Sequence, residues 1–422
     1  MRCWTLLLIA ASWAQMSTAG EIANVTLGKP VTATGHYSDR IPQNAVDGDL
    51  DSRWENRTRN RVVRLEVDLL GTFLLESAEI ETGFGSGNAP ERLELQYFDG
   101  FCWLPIPGAT VFDNPDDNRR VLLTFTEPVV ADRIRLHSMD AQNNLIQELV
   151  VFGEPTSQSV TAETGGCSAG EHVAVLDPYY DHALHLPPDY NLDPETRWPL
   201  IVSLHGIGGN ILNGDRSAVL SNPEGFAKQV ENGTLADFPA IVASLHCRSV
   251  GQTSNCWFDP DRVIPMLESF KEDFLVDPNR VIFTGLSGGA IVSYRLGVLI
   301  PDQLAGLVPV AGMFPGGELD RICNLKRLHI WAFAGTNDSS FPPGRNDFVR
   351  DRLAQDCPPF GEDYMVSTAI EGGTHSGSTW DVAYAMPELH QWLLDVTKLD
   401  PVQPPLFSDD FETGTLHRWT QP

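Results

Sequence analysis

Basic side chains are scarce in this 422-residue chain: 29 Lys and Arg stand against 56 Asp and Glu, a formal net charge of −27. Such an excess of carboxylate repels phosphate backbones and anionic lipid surfaces, which excludes nucleic acid and membranes as partners. Long apolar runs are lacking too. Cys3-Trp4-Thr5-Leu6-Leu7-Leu8-Ile9-Ala10-Ala11 is shorter than the roughly 20 residues of a spanning helix, and no later segment reaches that length. There is no C-x-x-C pair or histidine cluster of the kind that binds zinc, no internal repeat and no low-complexity block. What the N-terminus does contain is Arg2, the short apolar core and a small-residue site at Ser17-Thr18-Ala19, which together predict a secretory signal peptide over residues 1–19. The mature protein is then expected to be extracellular and monomeric. Six cysteines remain after Cys3: Cys102, Cys167, Cys247, Cys256, Cys323 and Cys357. An even number in an oxidising compartment favours disulfides, and the pairs to test first are Cys247 with Cys256 and Cys323 with Cys357.

The chemistry is concentrated in Gly285-Leu286-Ser287-Gly288-Gly289, which follows the apolar run Val281-Ile282-Phe283. A G-x-S-x-G turn from strand to helix needs glycine on both sides of the serine, and it lifts the hydroxyl clear of the sheet near the positive end of the helix. Candidate partners follow in the order Ser, Asp, His. Asp338 ends the apolar segment Leu328–Ala334 through Gly335-Thr336-Asn337, and His375 lies in the small-residue loop Gly372-Gly373-Thr374-His375-Ser376-Gly377. Upstream, the buried-strand pattern Trp198–Leu204 runs into His205-Gly206-Ile207-Gly208-Gly209, a sequence of the oxyanion-loop type. In this arrangement His375 is the base for Ser287, Asp338 orients the imidazole, and the backbone N–H groups of Gly288 and of Ile207 or a neighbour receive the oxyanion. Trp257 and Trp380 are the expected substrate-pocket residues.

Residues 167–400 resemble secreted α/β-hydrolases that include feruloyl and acetyl-xylan esterases and polyhydroxybutyrate depolymerases. The resemblance rests on His182-Ala183-Leu184-His185-Leu186-Pro187-Pro188-Asp189-Tyr190, Leu204-His205-Gly206, Asp277-Pro278-Asn279-Arg280-Val281, the serine turn, and His375 with Trp380-Asp381-Val382-Ala383-Tyr384. It implies hydrolysis of a carboxylic ester. Asn255-Cys256-Trp257-Phe258 supplies only part of the aromatic pattern that polyhydroxybutyrate depolymerases of this type carry before the serine turn.

Residues 22–153 show short alternating runs instead of long helical periodicity: Val62–Leu69, Arg92–Tyr97, Arg120–Phe125 and Arg133–His137, separated by Gly, Asn, Asp and Pro. This predicts a β-sandwich. The segment resembles the discoidin or coagulation-factor C-type domain, used by bacteria as a carbohydrate-binding module, through Leu27–Ala33, Ala45-Val46-Asp47-Gly48-Asp49-Leu50-Asp51-Ser52-Arg53-Trp54, Leu65–Leu69, Asp99-Gly100 with Trp103, and Ile146–Gly153. The resemblance implies a structural Ca2+ drawing on Asp47, Asp49, Ser52 and Glu148; a metal-free Asx turn is the alternative. Sugar contacts are expected among the loop residues His36, Tyr37, Arg57, Arg59 and Phe84. A polar linker over 154–166 and a C-terminal tail over 401–422 complete the expected organisation. The chain is thus expected to be a β-sandwich followed by an α/β-hydrolase domain: a secreted serine esterase held on an ester-substituted polysaccharide or other insoluble polymer. An insoluble polyester is the alternative substrate, a peptidase ranks below both, and a non-catalytic adhesion protein is the reading from another class.

Overall fold

The computed structural model describes residues 22–57, 63–82, 93–111, 120–138, 144–160, 172–175, 180–207, 224–247, 257–358 and 364–399, with the single positions 90, 114, 169 and 170. The expected leader, the tail, residues 161–166 of the linker and the loop residues Arg59 and Phe84 lie outside them.

The first sheet contains β1 (Ala23–Asn24), β2 (Val31–Ala33), β3 (Trp54–Asn56), β4 (Val63–Thr82), β5 (Leu93–Phe98), β6 (Trp103–Val111), β7 (Arg120–Ser138) and β8 (Asn144–Pro155). Their order is β1-β8-β4-β7-β5-β6, with β2 on β4 and β3 on β8, and every pairing is antiparallel. The runs that sequence reads as separate short strands at 120–125 and 133–137 are two ends of one strand. Pairing carries the backbone through the glycine and proline signals: β4 and β7 stay together on both sides of a register break between Asp68 and Phe73, where Leu70 adopts φ 54°. That irregularity turns β4 from one layer to the other, so its first part pairs with β2 and its second with β8. The layers enclose a core that includes Trp54, Leu65, Leu75, Ile80, Leu95 and Ile134. β8 runs into the segment expected to be a free linker, and the Thr156 N–H donates to Thr72 O at 3.0 Å.

The second sheet contains β9 (His172–Val175), β10 (Asp181–His185), β11 (Trp198–Leu204), β12 (Ile241–His246), β13 (Val276–Leu286), β14 (Gly306–Val310), β15 (His329–Gly335) and β16 (Met365–Ile370), in the order β16-β15-β14-β13-β11-β12-β10-β9. The strands from β11 to β16 are parallel, and β10 is antiparallel to both its neighbours. Helices α1 (Phe226–Glu231), α2 (Pro260–Asp273), α3 (Gly288–Leu299), α4 (Gly344–Asp356), α5 (Gly377–Tyr384) and α6 (Pro387–Asp395) cover it. Alternate residues of one strand enter opposite cores: Leu200 and Val202 join Val263, Met266 and Leu296, whereas Ile201 joins Phe226, Leu389 and Trp392. With both faces covered, β14 and β15 are buried along their whole length, which is why they read as continuous apolar runs. This is the expected α/β-hydrolase architecture. Cys323 and Cys357 form the expected disulfide with Cα atoms 5.2 Å apart. Cys102 and Cys247 are each disulfide-bonded to a residue outside the described ones, where Cys256, the expected partner of Cys247, also lies. Among the described residues no helix is long and apolar enough to cross a membrane.

The two sheets meet through a buried ion cluster. Asp273, the last residue of α2, takes Arg64 Nη2 and Arg135 Nη1 on its two carboxylate oxygens, each at 2.5 Å, and Arg64 Nη1 also lies 3.0 Å from Glu272. Phe101, Cys102 and Leu104 of the sandwich pack into the core of the second sheet with Tyr190. An acid at a helix C-terminus is unfavourable by itself, and the two guanidiniums compensate it. Burial alone would raise the Asp273 carboxyl, but Arg135 and Arg64 override it and hold it below its ordinary range. Burial also pulls Arg135 down to about 10 in spite of Asp273, which still leaves the guanidinium charged at neutral pH. Because the folded-state carboxyl is the more acidic, its stabilisation is fully present above the unfolded carboxylate value and is lost as pH falls through the folded one. Asp273→Asn is expected to cost about 3–5 kcal/mol in denaturant unfolding at pH 7 by leaving two buried cations underpaired. The deficit should shrink towards pH 3, and a variant as stable as the parent at pH 7 would refute the account.

Candidate active site

Ser287 caps the N-terminus of α3 with φ 51° and ψ −114°, a region that costs a non-glycine residue on the order of 1–3 kcal/mol. Its N–H donates to Val310 O of the adjacent strand at 2.9 Å, which holds the turn against the sheet. The flanking glycines are sterically required. A Cβ on Gly289 would sit 2.2 Å from Leu204 O, and one on Gly285 would sit 2.5 Å from the carbonyl carbon of Gly289.

Ser287 Oγ lies 2.9 Å from His375 Nε2, and His375 Nδ1 lies 2.8 Å from Asp338 Oδ2. Asp338 is buried at the end of β15, where its Oδ1 accepts the N–H groups of Ser340 at 2.8 Å and Phe341 at 2.9 Å. With those bonds fixing the carboxylate, His375 Nδ1–H donates to it, and Nε2 is left to accept the serine hydroxyl. Phe341 and Trp380 flank the imidazole with ring centroids 5.3 and 5.5 Å away. Trp380, one of the two expected pocket residues, thus lies beside the imidazole. Trp257 is half exposed, and the next residue, Phe258, packs 4.8 Å from the ring of His205.

The Ile207 and Gly288 backbones abut: a Cβ on Gly288 would lie 3.5 Å from Ile207 N. His205 secures this loop from beneath. Its buried ring donates from Nδ1 to Gly206 O at 2.5 Å and accepts the Cys247 N–H on Nε2 at 3.0 Å. Burial drives its pKa down to about 4, so it stays neutral. Sequence reasoning missed Glu224, whose carboxylate accepts the Gly206 N–H, and the Lys228–Asp381 ion pair at 2.6 Å beside it. Neither carries a motif, since folding alone brings α1 against the serine turn.

In the sandwich, Asp47 to Ser52 form a nest of side-chain bonds. Asp47 Oδ1 accepts the Asp49 N–H at 2.9 Å, Asp47 Oδ2 accepts Ser52 Oγ at 2.8 Å, and Glu148 Oε2 accepts the Gly48 N–H at 3.1 Å. Glu148 Oε1 is buried without a partner, and burial, reinforced by Asp47 and Asp49, pushes its carboxyl up to about 7. Among the described residues no three His, Cys, Asp or Glu side chains form a ready-made metal cluster. An orphaned acid oxygen facing further carboxylates nevertheless fits a hard cation whose remaining ligands are backbone carbonyls. On the loop surface, Tyr37 is exposed, with the Arg57 guanidinium 3.9 Å over its ring. Arg40, Arg53 and Arg57 all pair with Glu55, and His36 Nδ1 lies 3.0 Å from Ser38 O.

Comparison with known proteins bears on both halves. Residues 30–149 match the family model of the F5/8 type C domain. Poly(3-hydroxyalkanoate) depolymerase C of Paucimonas lemoignei is 24% identical over 195 residues, 42% of this chain and 42% of that protein. Among solved structures, a thermostable esterase covers 81% of this chain and 96% of its own at 16% identity, with a TM-score of 0.43. The family 32 carbohydrate-binding module of C. perfringens NanJ, in complex with galactose, covers 31% and 99% at 17% identity, with a TM-score of 0.29. The chain spans less than half the length of the curated relatives it matches.

The turn's steric demand gives a sharp contrast. Gly289→Ala is expected to destabilise by more than about 2 kcal/mol, because the methyl would displace a strand backbone. Gly316→Ala, which meets nothing within 4 Å, should stay within about 0.5 kcal/mol of the parent. Equal denaturation midpoints for the two variants would contradict the packing described.

Proposed function

We propose that this chain is a secreted serine carboxylic-ester hydrolase acting through an acyl-enzyme on ester-substituted polysaccharide, of the feruloyl or acetyl esterase type. The observation that carries the reading is the unbroken hydrogen-bond line from Ser287 through His375 to Asp338, starting at a serine held at positive φ. In this reading Ser287 Oγ attacks the ester carbonyl carbon while its proton passes to His375 Nε2. Asp338 stabilises the resulting imidazolium through Nδ1–H. The N–H groups of Ile207 and Gly288 receive the carbonyl oxygen as it becomes negative. Collapse of the tetrahedral intermediate breaks the C–O bond to the alcohol, which leaves with the proton from Nε2. Water then enters by the same route: His375 takes its proton, the hydroxyl oxygen attacks the acyl carbon, and the acid departs as Ser287 regains its hydrogen.

The F5/8 type C unit serves as the polymer anchor, with the patch of His36, Tyr37 and Arg57 meeting a sugar ring. Anchoring raises the local concentration of ester bonds without any new catalytic contact. Asp47, Asp49, Ser52 and Glu148 would hold a Ca2+ that neutralises the buried acid and stiffens the turn. A polyester is the second substrate reading, favoured by the depolymerase similarity and by the exposed Trp257.

Ser287→Ala is expected to lower kcat on p-nitrophenyl acetate by about 10,000-fold or more while leaving adsorption to insoluble polymer unchanged; turnover near the parent rate would remove the reading. In thermal melts, Ca2+ is expected to raise the sandwich transition by at least about 4 °C over chelated protein. Glu148→Gln should abolish that response, and identical melts with Ca2+ and chelator would exclude the cation.

A further inference from the structure

Gly206 is held from both sides. The C=O of Gly206 and the N–H of Ile207 belong to one planar trans peptide and point in opposite directions. His205 Nδ1–H takes that carbonyl at 2.5 Å, which turns the Ile207 N–H the other way, towards the Gly288 backbone. The preceding peptide is tied by Glu224, whose carboxylate accepts the Gly206 N–H. A Cβ on Gly206 would lie 3.8 Å from Glu224 Oε2, 3.5 Å from Ser287 Cβ and 2.7 Å from Leu286 Cδ1, so the acid, the glycine peptide and the serine share one small volume.

The Glu224 backbone has little freedom to withdraw. Gly225, at φ 63°, is wedged so tightly that a Cβ there would lie 2.9 Å from Leu286 Cδ2 and 3.2 Å from Tyr384 Cε2. Four residues beyond Glu224, Lys228 pairs with Asp381 of α5, the helix that follows His375. Glu224 therefore stands where the His205–Ile207 loop, the serine turn and the histidine loop come together. The mechanism above gives it no part, and yet a half-buried acid beside the reacting centre is costly unless its acceptor oxygens are in use.

We infer that Glu224 is a positioning residue: by holding the Gly206 N–H it fixes the peptide whose next N–H, that of Ile207, meets the oxyanion. This rests on the ester-hydrolase reading. A group that acts only on the oxyanion donor affects the tetrahedral transition state more than the bound ester, so its loss should appear in kcat with little change in KM.

The test compares the full-length parent protein with Glu224→Gln, Glu224→Ala, Glu224→Met and Ser287→Ala on p-nitrophenyl acetate, with inhibition by a trifluoromethyl ketone as a second readout. Glu224→Ala and Glu224→Met remove the acceptor and should lower kcat about 10- to 100-fold with KM within about twofold, and weaken the ketone in parallel. Glu224→Gln keeps an oxygen for Gly206 and should stay within about threefold of the parent on every measure. If Glu224→Ala melts below the assay temperature, Glu224→Met, which fills the same space, carries the comparison. A kcat within about twofold of the parent in the variants lacking the acceptor, or equal losses in Glu224→Gln and Glu224→Met, overturns the inference. Parent-level turnover by Ser287→Ala would instead overturn the ester-hydrolase reading beneath it.

Discussion

The close approach of Gly289 to the Leu204 carbonyl is the contact on which the site depends. It brings the first turn of α3 directly onto the end of β11, with no side chain between them. Two consequences follow from that one contact. The chain leaving β13 must reverse within the serine turn, which forces Ser287 to positive φ, and the loop leaving β11 must run beside Gly288, which sets Ile207 against the helix start. The parallel order of β11, β13, β15 and β16 does the rest. Parallel strands end on the same edge of a sheet, so Ile207, Ser287, Asp338 and His375, separated by up to 168 positions in the chain, emerge together.

Strain at Ser287 persists because the surroundings over-determine it. The Val310 carbonyl holds its N–H, and the buried α3 packs its Val292, Tyr294 and Leu296 into the core, so relaxing one dihedral would mean withdrawing a helix. The ion cluster at Asp273 has a comparable logic on the far side of the molecule. In a chain with few cations, two of its arginines are spent in a buried contact with one carboxylate, and a second, more exposed cluster gathers Arg40, Arg53 and Arg57 around the buried Glu55. Buried pairs are weak sources of net stability, but breaking them is costly, so the two at Asp273 act mainly to select one docking of the sandwich against α2.

How much of this was legible in the sequence varies with the range of the interaction. The serine turn could be read because its requirements are local: two glycines that cannot carry a Cβ, a preceding apolar strand and a following helix. Asp338 and His375 were legible through their places after a buried run and within a small-residue loop. The sandwich could be recognised, but not the length of β4 and β7, because Gly71 and Pro128 look like strand ends until cross-strand pairing is known to bridge them. Glu224 and the Arg135–Asp273 contact left no trace in any local pattern. Both depend on segments far apart in the chain that only the finished fold brings together, and an isolated acid on a polar stretch looks the same whether it is solvated or set against a distant backbone.

The charge of the whole chain also constrains how the proposed chemistry can be run. An ester hydrolysis develops negative charge at the carbonyl oxygen, and a protein of net charge −27 offers an unfavourable background field for it. In the proposed reaction the candidate site meets that demand with fixed dipoles instead of cations: two backbone N–H groups, one of them at the positive end of α3, beside an imidazole flanked by Phe341 and Trp380. Donors of this kind lose little to screening, since they act over a single hydrogen bond. Under the proposed reaction the same background field favours the end of the cycle, because the carboxylate product departs from a surface of its own sign. A neutral substrate entering and an anion leaving is the direction in which an acidic shell assists turnover without touching the transition state.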